Sequence, residues 1–552
     1  MSKLIQKISG MTILAGGLLL FASNKADAFF LDGSGHYGLI GETRINPEFQ
    51  KDNGTYQATR ISFDLNGEAK ANDRASFNLR LGVSENPSEA YFGDTAKPST
   101  CSTRRTAAGG TETSCDGRSQ STTETGYKNL APVIREAYGS YAFNYCLLTA
   151  GRRSRELGLG AFLSSGKSPF ANSVSTFDGV TCDVNIQKQQ DLGFKFGADK
   201  LQETGTFVDN PYDNPKSDPQ LESEYQKRHS TFGANSSSDD VDQIFFGLTF
   251  NDAKGKSPGS FSKQMELYFA NIYSSELKAD VKFFDFYSSF LWGKFSLKNE
   301  IIFRSGKTAD PSVVAMGGQR QDNNQAVATN NINSIGLAGV LEYSISQSGS
   351  TIGPEEFNEG TMRRQVVFAD YSFAPGDSDG YYINHPGEQE TTNAQIGEAR
   401  RNNRAKAMAF NRNYHPALLF FNGRATSRKY AVPGVFDAER LVNTSLTSLG
   451  YRYENVETGN FELKLITGRL LEGVPQDVSA YYSAGTSTER PMGFYGTNLG
   501  YEVDASYAYH YQREVDLGLG LAAALPGKAW RTSTVKTPTM GFGLSANFAI
   551  KF

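Results

Sequence analysis

Strict alternation of apolar and polar side chains is the pattern that most restricts what this chain can fold into. Because successive side chains of a β-strand point to opposite faces, such alternation predicts a strand with one apolar face. The longest example is the C-terminal segment, where apolar residues occupy every second position up to the last: Met540, Phe542, Leu544, Ala546, Phe548, Ile550 and Phe552.

The same two-residue period recurs along most of the chain. In residues 59–70, Ile61, Phe63 and Leu65 alternate with polar and charged side chains, and a second alternating segment follows the turn at residues 72–73. Segments of this length can cross a bilayer as tilted strands. A soluble β-sandwich also alternates, but it rarely places so many long strands in one sheet.

The number of alternating segments predicts the size of the sheet. We count roughly 16 to 19, and because a closed single-chain bacterial barrel has an even number, we expect 18 strands, with 16 as the alternative. The predicted fold is all-β: a transmembrane antiparallel up-and-down β-barrel with long extracellular loops. Short connections near Asn144-Tyr145 and Gly459 contrast with long polar inserts over residues 84–131, 202–240, 306–333 and 376–413.

The N-terminus has the form of an export signal. Lys3 and Lys7 precede an apolar stretch over residues 11–21, and Ala26-Asp27-Ala28 has the small-x-small form of a cleavage site. These features predict a secretory signal peptide over residues 1–28 and a single barrel domain over residues 29–552. A mean hydropathy of −0.44 is too polar for a bundle of transmembrane helices, since each such helix needs about 20 apolar residues.

The terminal aromatic residue, Phe552, indicates location. An aromatic residue at the end of an alternating strand resembles the signal that outer-membrane barrels present to their assembly machinery. We therefore expect the bacterial outer membrane, with its lipid, lipopolysaccharide and assembly machinery as partners. A formal net charge of −4 gives no electrostatic reason to expect nucleic acid.

Charged side chains of both signs fall on the face opposite the apolar one, which is the inside of a barrel. Burying them in a dry core would cost too much, so we expect a water-filled lumen or a network of paired charges. The first alternative predicts a pore whose charges bias the choice of solute, and the second a hydrated wall. The candidate pore-lining residues are Arg44, Arg60, Arg80, Lys298, Glu300, Arg304, Arg452, Glu462, Lys464, Glu502 and Asp504.

Three further candidates, Arg152, Arg153 and Arg155, lie together between a strand and a glycine-rich stretch that ends at Gly160. One interpretation is a loop that folds into the lumen, narrows the channel and attracts anions. The other is an exposed basic loop that contacts lipopolysaccharide phosphates. The residues alone leave both open.

The four cysteines, Cys101, Cys115, Cys146 and Cys182, are disulfide candidates in an exported protein. Four cysteines allow three pairings. The short spacing in a Ser/Thr/Gly-rich stretch favours Cys101 with Cys115, which leaves Cys146 with Cys182. A zinc site is the weaker interpretation, because no histidine lies near either pair.

Catalytic patterns are poorly supported. The five histidines are scattered, and neither G-x-S-x-G nor H-E-x-x-H occurs. We therefore predict a protein that is not an enzyme and needs no cofactor or metal.

Five segments together resemble the outer-membrane porins of the alginate-export type. They are Gly151-Arg152 to Gly160, Ala374-Pro375-Gly376-Asp377, His415-Pro416 through Phe421-Asn422-Gly423, Leu499 through Asp504, and Ala524-Leu525-Pro526-Gly527. The resemblance implies a single-chain 18-strand barrel that passes solutes through an arginine-containing lumen. The mixed charge of the predicted lining departs from a polymer-exporting pattern.

The predicted function is passive diffusion of small hydrophilic solutes, anionic ones included, through an outer-membrane channel. The alternative is a structural or adhesive outer-membrane protein with a plugged lumen and partner-binding surface loops.

Overall fold

The computed structural model describes the barrel wall and parts of its connections. The predicted signal peptide over residues 1–28 lies outside the described residues, as do most of the long inserts. The described residues are 30–46, 55–72, 74–83, 91–92, 101–105, 111–115, 132–168, 175–187, 192–201, 241–252, 262–274, 279–308, 330–348, 363–376, 404–405, 408, 410, 414–420, 441–455, 458–471, 496–511, 514–531 and 537–552.

Eighteen strands form the barrel, and we number them in chain order. They are β1 Phe30–Ile45, β2 Thr55–Asn72, β3 Ala75–Val83, β4 Pro132–Ala142, β5 Leu147–Ser154, β6 Thr176–Gln187, β7 Leu192–Leu201, β8 Val241–Asn251, β9 Ser262–Ser274, β10 Ala279–Trp292, β11 Phe295–Thr308, β12 Asn330–Ser348, β13 Arg363–Ala374, β14 Thr444–Asn455, β15 Asn460–Leu470, β16 Asn498–Tyr511, β17 Val515–Pro526 and β18 Gly541–Lys551.

The sheet closes on itself. Each strand pairs antiparallel with the next, and β18 pairs with β1 from His36 opposite Lys551 to Ile45 opposite Phe542. Beyond this register, the backbone N–H of Gly35 donates to the carbonyl of Phe552 at 2.7 Å. The prediction of an 18-strand antiparallel barrel is confirmed, and the 16-strand alternative is wrong.

Connections of unequal length distinguish the two ends of the barrel. The turn end, where β1 begins and β18 finishes, has mostly short connections such as residues 73–74, 143–146, 293–294 and 512–514. The opposite end, which we call the loop end, carries residues 84–131, 202–240, 309–329, 375–443 and 471–497. In outer-membrane barrels the short turns face the periplasm and the long loops face outward.

One connection between strands is longer than predicted. The expected insert over residues 376–413 continues to residue 443, where β14 is about to begin. The apolar residues that follow position 413 do not form wall, because they fold into the barrel and pack against it from inside. Another connection is shorter than predicted. The insert expected over residues 306–333 comprises only residues 309–329, because β11 and β12 extend further than expected.

Short elements lie outside the barrel ladder. Tyr91–Phe92 pairs with β2, Arg404–Ala405 pairs parallel with β12, and Lys528–Trp530 forms a 3₁₀ turn. A small hairpin joins Cys101–Arg105 to Thr111–Cys115.

The cysteine positions follow from these elements. In the small hairpin, Cys101 stands directly opposite Cys115, and both side chains lie outside the described part. Cys146 and Cys182 are joined by a disulfide, with their Cα atoms 5.6 Å apart. This bond links the turn before β5 to the middle of β6.

An apolar surface covers the outside of the wall. Leu449 is 61% exposed on β14 and Leu519 is 47% exposed on β17, although each is flanked by residues that point inward. Large aromatic side chains stand at the turn end, where Trp292 and Phe295 flank the β10–β11 turn. Exposed apolar strand faces of this kind are solvated by hydrocarbon, with aromatic residues at the interface. No helix in the described ranges is long and apolar enough to span a membrane.

Candidate functional site

Two segments of the loop-end connections lie inside the barrel and occupy part of its lumen. The first inner segment comprises residues 155–168, which follow β5. The second inner segment comprises residues 408, 410 and 414–420, between β13 and β14. Charged side chains of the wall hold both, so the site is built from inward-facing strand positions and these two segments.

Arg155 opens the first inner segment. Its Nη1 and Nη2 atoms donate to the two carboxylate oxygens of Asp199 at 2.6 and 2.7 Å. The guanidinium also faces the rings of Phe177 and Phe245, at 4.5 and 3.8 Å from their centroids. Such stacking is favourable for a desolvated cation. Arg155 therefore attaches the start of the segment to the β6–β8 wall.

Glu300 on β11 holds the middle of the first inner segment through backbone amides. The N–H of Leu159 donates to Oε2 at 2.6 Å, that of Ala161 to Oε2 at 3.4 Å, and that of Phe162 to Oε1 at 3.1 Å. Gly158 makes this approach feasible: its φ of +52° and a Cβ position only 2.9 Å from Glu300 Oε2 both exclude a larger residue. Glu300 is fully buried.

Arg80 on β3 holds the far end of the same segment. Its Nη1 and Nη2 donate to the carbonyls of Ser165 and Gly166 at 3.1 and 2.5 Å, and Nη2 also donates to Asp64 at 2.8 Å. Strands β3 and β11 stand eight positions apart in an 18-strand barrel. The first inner segment therefore runs across the lumen from one wall to the other.

The second inner segment lies along the wall from β13 to β18. Amides of Leu419 and Phe420 donate to Oε1 and Oε2 of Glu502 at 2.6 and 2.7 Å, and the amide of Leu418 donates to Asp504 at 3.0 Å. Lys464 Nζ donates to the carbonyl of Pro416 at 3.4 Å. As in the first segment, a fully buried wall glutamate accepts hydrogen bonds from neighbouring backbone amides of the inner segment.

Apolar packing joins the two inner segments. Phe420 and Ala161, both fully buried, belong to one cluster that reaches the inner faces of β11 to β17, with Leu159 and Phe162 packed against it. Tyr414 contacts Ser372 through its hydroxyl at 2.8 Å. Burial raises the pKa of the Tyr414 hydroxyl, so it stays protonated and neutral within this cluster. The segments form a dry constriction toward the loop end.

A second charged group lines the wall nearer the turn end, on β12 to β15. Arg452 donates to Glu462 at 2.8 Å and to Glu342 at 3.0 Å, and Arg364 lies 3.5 Å from Glu342. Lys464 lies 3.4 Å from both Asp370 and Glu462. Most of these side chains keep a partly exposed surface, unlike Glu300 and Glu502. Solvent therefore reaches this part of the lumen.

A third charged group lies on β1 to β4. Asp64, 1% exposed, accepts from Arg80, from Arg135 at 3.0 Å, and lies 3.4 Å from His36 Nε2. Glu136 accepts hydrogen bonds from Ser154. A register shift in the β3–β4 pairing brings Arg135 and Glu136, adjacent in sequence, to the same side of the wall.

The three clustered arginines do not act together. Arg152 points outward, where its Nε and Nη2 donate to Asp178 at 2.8 Å each. The expectation that Arg152 lines the pore is wrong, because β5 continues to Ser154 and alternation places Arg152 on the outer face. Arg153 points inward and is 9% exposed. Its Nε and Nη2 have no hydrogen-bond partner among the described residues.

The remaining pore-lining candidates fall into three groups. Glu300, Glu502 and Asp504 face inward as predicted, but they bind the inner segments instead of facing water. Arg452, Glu462 and Lys464 form the partly hydrated network. Arg44 donates to Glu42 at 3.1 Å, Arg304 donates to Ser334 at 3.2 Å, and Lys298 lies inward on β11, while the side chain of Arg60 is outside the described part.

Several residues of the site were missed from the sequence. Asp199 continues the alternation of β7 by one position beyond Ala198, so extending the predicted strand by one residue includes it. Asp285, 1% exposed on β10, and Glu342 on β12 likewise alternate with outward apolar residues. The sequence of the second inner segment does not indicate that it enters the lumen, because an apolar stretch inside a barrel resembles any buried coil.

The fold and its outer apolar surface define this protein as a bacterial outer-membrane β-barrel, here with a lumen narrowed by two inner segments. No family model and no curated protein matches the chain.

Several solved structures are similar to this chain over most of its length. OccK5 (OpdH) of Pseudomonas aeruginosa is 12% identical, the match covers 94% of this chain and 98% of that chain, and the TM-score is 0.41. OccK2 (OpdF) of the same organism is 10% identical, covers 95% and 97%, and has a TM-score of 0.44. OccAB4 of Acinetobacter baumannii is 11% identical, the match covers 94% of this chain and 98% of that chain, and the TM-score is 0.39. These similarities transfer no residue role to the chain.

Proposed function

We propose that this protein is an outer-membrane channel for passive diffusion of small hydrophilic solutes. The observation that carries the proposal is the partly hydrated charged network on β12 to β15, which continues toward the constriction made by the inner segments. Charged side chains on an inner wall are stable only when water or partners solvate them. A lumen that contains both water and paired charges supports a path for solutes.

The charge of the path favours no single class of solute. The network contains charges of both signs, so it resembles a mixed lining more than an anion filter. Its cations are Arg364, Arg452 and Lys464, and its carboxylates are Glu342, Asp370, Glu454 and Glu462. Arg153 faces inward with two guanidinium nitrogens, Nε and Nη2, that have no hydrogen-bond partner among the described residues. We therefore propose small hydrophilic solutes in general, with Arg153 giving anions a modest advantage. The relationship to porins of the alginate-export type stays a prediction, and no polymer is proposed as the transported solute.

Planar-bilayer recording tests the channel. Purified, folded barrel should give discrete ion-conducting steps, and liposomes that contain it should swell in solutions of small sugars or amino acids. A larger conductance is expected when residues 156–166 are replaced by a short Gly/Ser linker, because this removes the crossing of the lumen. The absence of conductance steps in both the unchanged barrel and the linker variant would contradict the proposal.

The apolar cluster inside the barrel favours a second candidate function. A dry interior that includes Phe410, Phe420 and Leu441 is also what a plugged barrel would need. Such a protein would be structural or adhesive, with loops at the loop end as its binding surface. Such a protein would give no conductance steps in a planar bilayer, and its loops would bind a partner although the lumen is closed.

The proposed partners follow from the location. Outer-membrane lipid contacts the apolar outer face, and Arg152 with Asp178 forms a polar outward pair near the loop end that suits lipopolysaccharide headgroups. The C-terminal strand ending in Phe552 is proposed to engage the assembly machinery. No catalytic activity and no cofactor are proposed.

A further inference from the structure

The two inner segments are held in the same chemical way, although they share no sequence. In each, a wall glutamate with a fully buried side chain receives hydrogen bonds from neighbouring backbone amides: Leu159, Ala161 and Phe162 for Glu300, and Leu419 and Phe420 for Glu502. The amide of Gly160 donates instead to the carbonyl of Leu157. Clustered N–H groups of this kind form a concave site for an anion.

Neither glutamate has a salt-bridge partner among the described residues. The two arginines that hold the first inner segment pair with other carboxylates, Arg155 with Asp199 and Arg80 with Asp64. The amides are therefore the main groups that compensate the charge of each carboxylate. Charge-assisted bonds to backbone N–H groups are short and strong, as the 2.6 Å distance from Leu159 N to Glu300 shows.

The geometry requires a carboxylate at position 300. Oε2 accepts from Leu159 and Ala161, while Oε1 accepts from Phe162. A glutamine could place its oxygen on only one side, so its NH₂ group would face an N–H donor on the other. The same holds for Glu502, whose two oxygens each accept one amide.

We propose that the amides of each inner segment form a carboxylate-binding site, that Glu300 and Glu502 occupy these sites as built-in anions, and that the two glutamates thereby position the constriction. They are positioning residues, since they act on solute passage through the segments they hold. The inference rests on the proposed channel for its effect on conductance. The binding site itself does not depend on that function.

Thiol accessibility tests the site independently of conductance. A cysteine is introduced at Ala161, which is fully buried in the first inner segment, and its reaction with a small water-soluble maleimide is followed in the folded barrel. Glu300→Ala should raise the labelling rate about tenfold or more, because buried amides left without an acceptor are costly and the segment leaves the wall. Glu300→Gln should give a smaller rise.

Sodium formate, a free carboxylate, should then restore slow labelling in the Glu300→Ala protein, whereas sodium chloride at equal ionic strength should not. Glu68→Gln serves as the matched control, since Glu68 pairs with Lys70 and lies on the wall near the turn end. The barrel without the added cysteine corrects for the native ones. Glu502→Ala with Ala417→Cys repeats the test on the second segment. Gel mobility before heating shows that each variant has folded.

The outcomes separate the two proposals. Faster labelling that formate reverses supports the inference, and in a conducting barrel it should accompany larger, noisier steps that formate also reverses. The same labelling result in a barrel that never conducts would contradict the proposed channel function and still support the carboxylate-binding sites. Unchanged labelling in Glu300→Ala, or faster labelling that formate does not slow, would overturn the inference.

Discussion

Arg155 and Asp199 form a two-point ion pair inside the barrel, with the guanidinium nitrogens 2.6 and 2.7 Å from the two carboxylate oxygens. Arg155 is the first residue beyond β5, and Asp199 lies near the loop end of β7. The pair therefore determines where the chain leaves the wall and turns into the lumen. Both side chains are buried.

Breaking this pair should cost stability because it leaves a buried charge without its partner. Arg155→Ala is expected to lower the free energy of unfolding by about 3–5 kcal/mol. Urea unfolding in detergent micelles, followed by gel mobility, measures it. The Arg155→Ala/Asp199→Ala double variant should cost clearly less than the sum of the single variants. Additive losses would show that the two residues do not interact.

The adjacent residues Arg152 and Arg153 should differ in their effect on ion selectivity. Arg153 faces the lumen and Arg152 pairs with Asp178 on the outside. Arg153→Gln should therefore lower the anion-to-cation permeability ratio, and Arg152→Gln should leave it unchanged. Reversal potentials in a salt gradient give the ratio. A shift in the Arg152 variant equal to that in the Arg153 variant would contradict the assigned orientation.

The network on β12 to β15 should bias selectivity in either direction, depending on which charge is removed. Arg452 bridges Glu342, Glu454 and Glu462. Arg452→Gln leaves a more negative wall and should shift the channel toward cations. Glu462→Gln removes a negative charge from the same network and should shift it toward anions. Shifts of the same sign in both variants would show that the solute path does not pass this wall.

The outer face should resist charge. Leu449 lies near the middle of β14 and is 61% exposed to the surroundings of the barrel. Leu449→Arg should destabilise the folded barrel in lipid vesicles by about 2–4 kcal/mol, the cost of an arginine near the bilayer midplane. Leu449→Ala is the control and keeps the face apolar. Equal stabilities of the two variants would place this residue outside the hydrocarbon layer.

Much of the wall could be predicted from alternation alone. The parity of the last strand places Phe548 outward and Asn547 inward, and the pairing of β18 with β1 and β17 agrees. Alternation failed where the ladder is irregular. Arg135 and Glu136 should lie on opposite faces, but the register shift in β4 lets both contact inward groups.

The candidate site could be predicted only in part. The inward direction of Glu300, Glu502 and Asp504 follows from their strands, and the expected neighbours of all three were water or opposite charges of the wall. Their actual neighbours are amides of segments far along the chain, such as Leu159, which lies 141 positions from Glu300. No local pattern reports which segment will reach a given wall position, because that depends on how the closed barrel brings its strands round.

Alternation along the chain specifies the strands, their two faces and the apolar surface that meets lipid. These follow from a period of two residues, which is a local property of the backbone. Which connections enter the lumen, and which charges they contact there, depends on the closed barrel and is visible only in three dimensions. Closure of 18 strands encloses a space wider than side chains alone fill, and the inner segments occupy it where buried carboxylates can bind their amides.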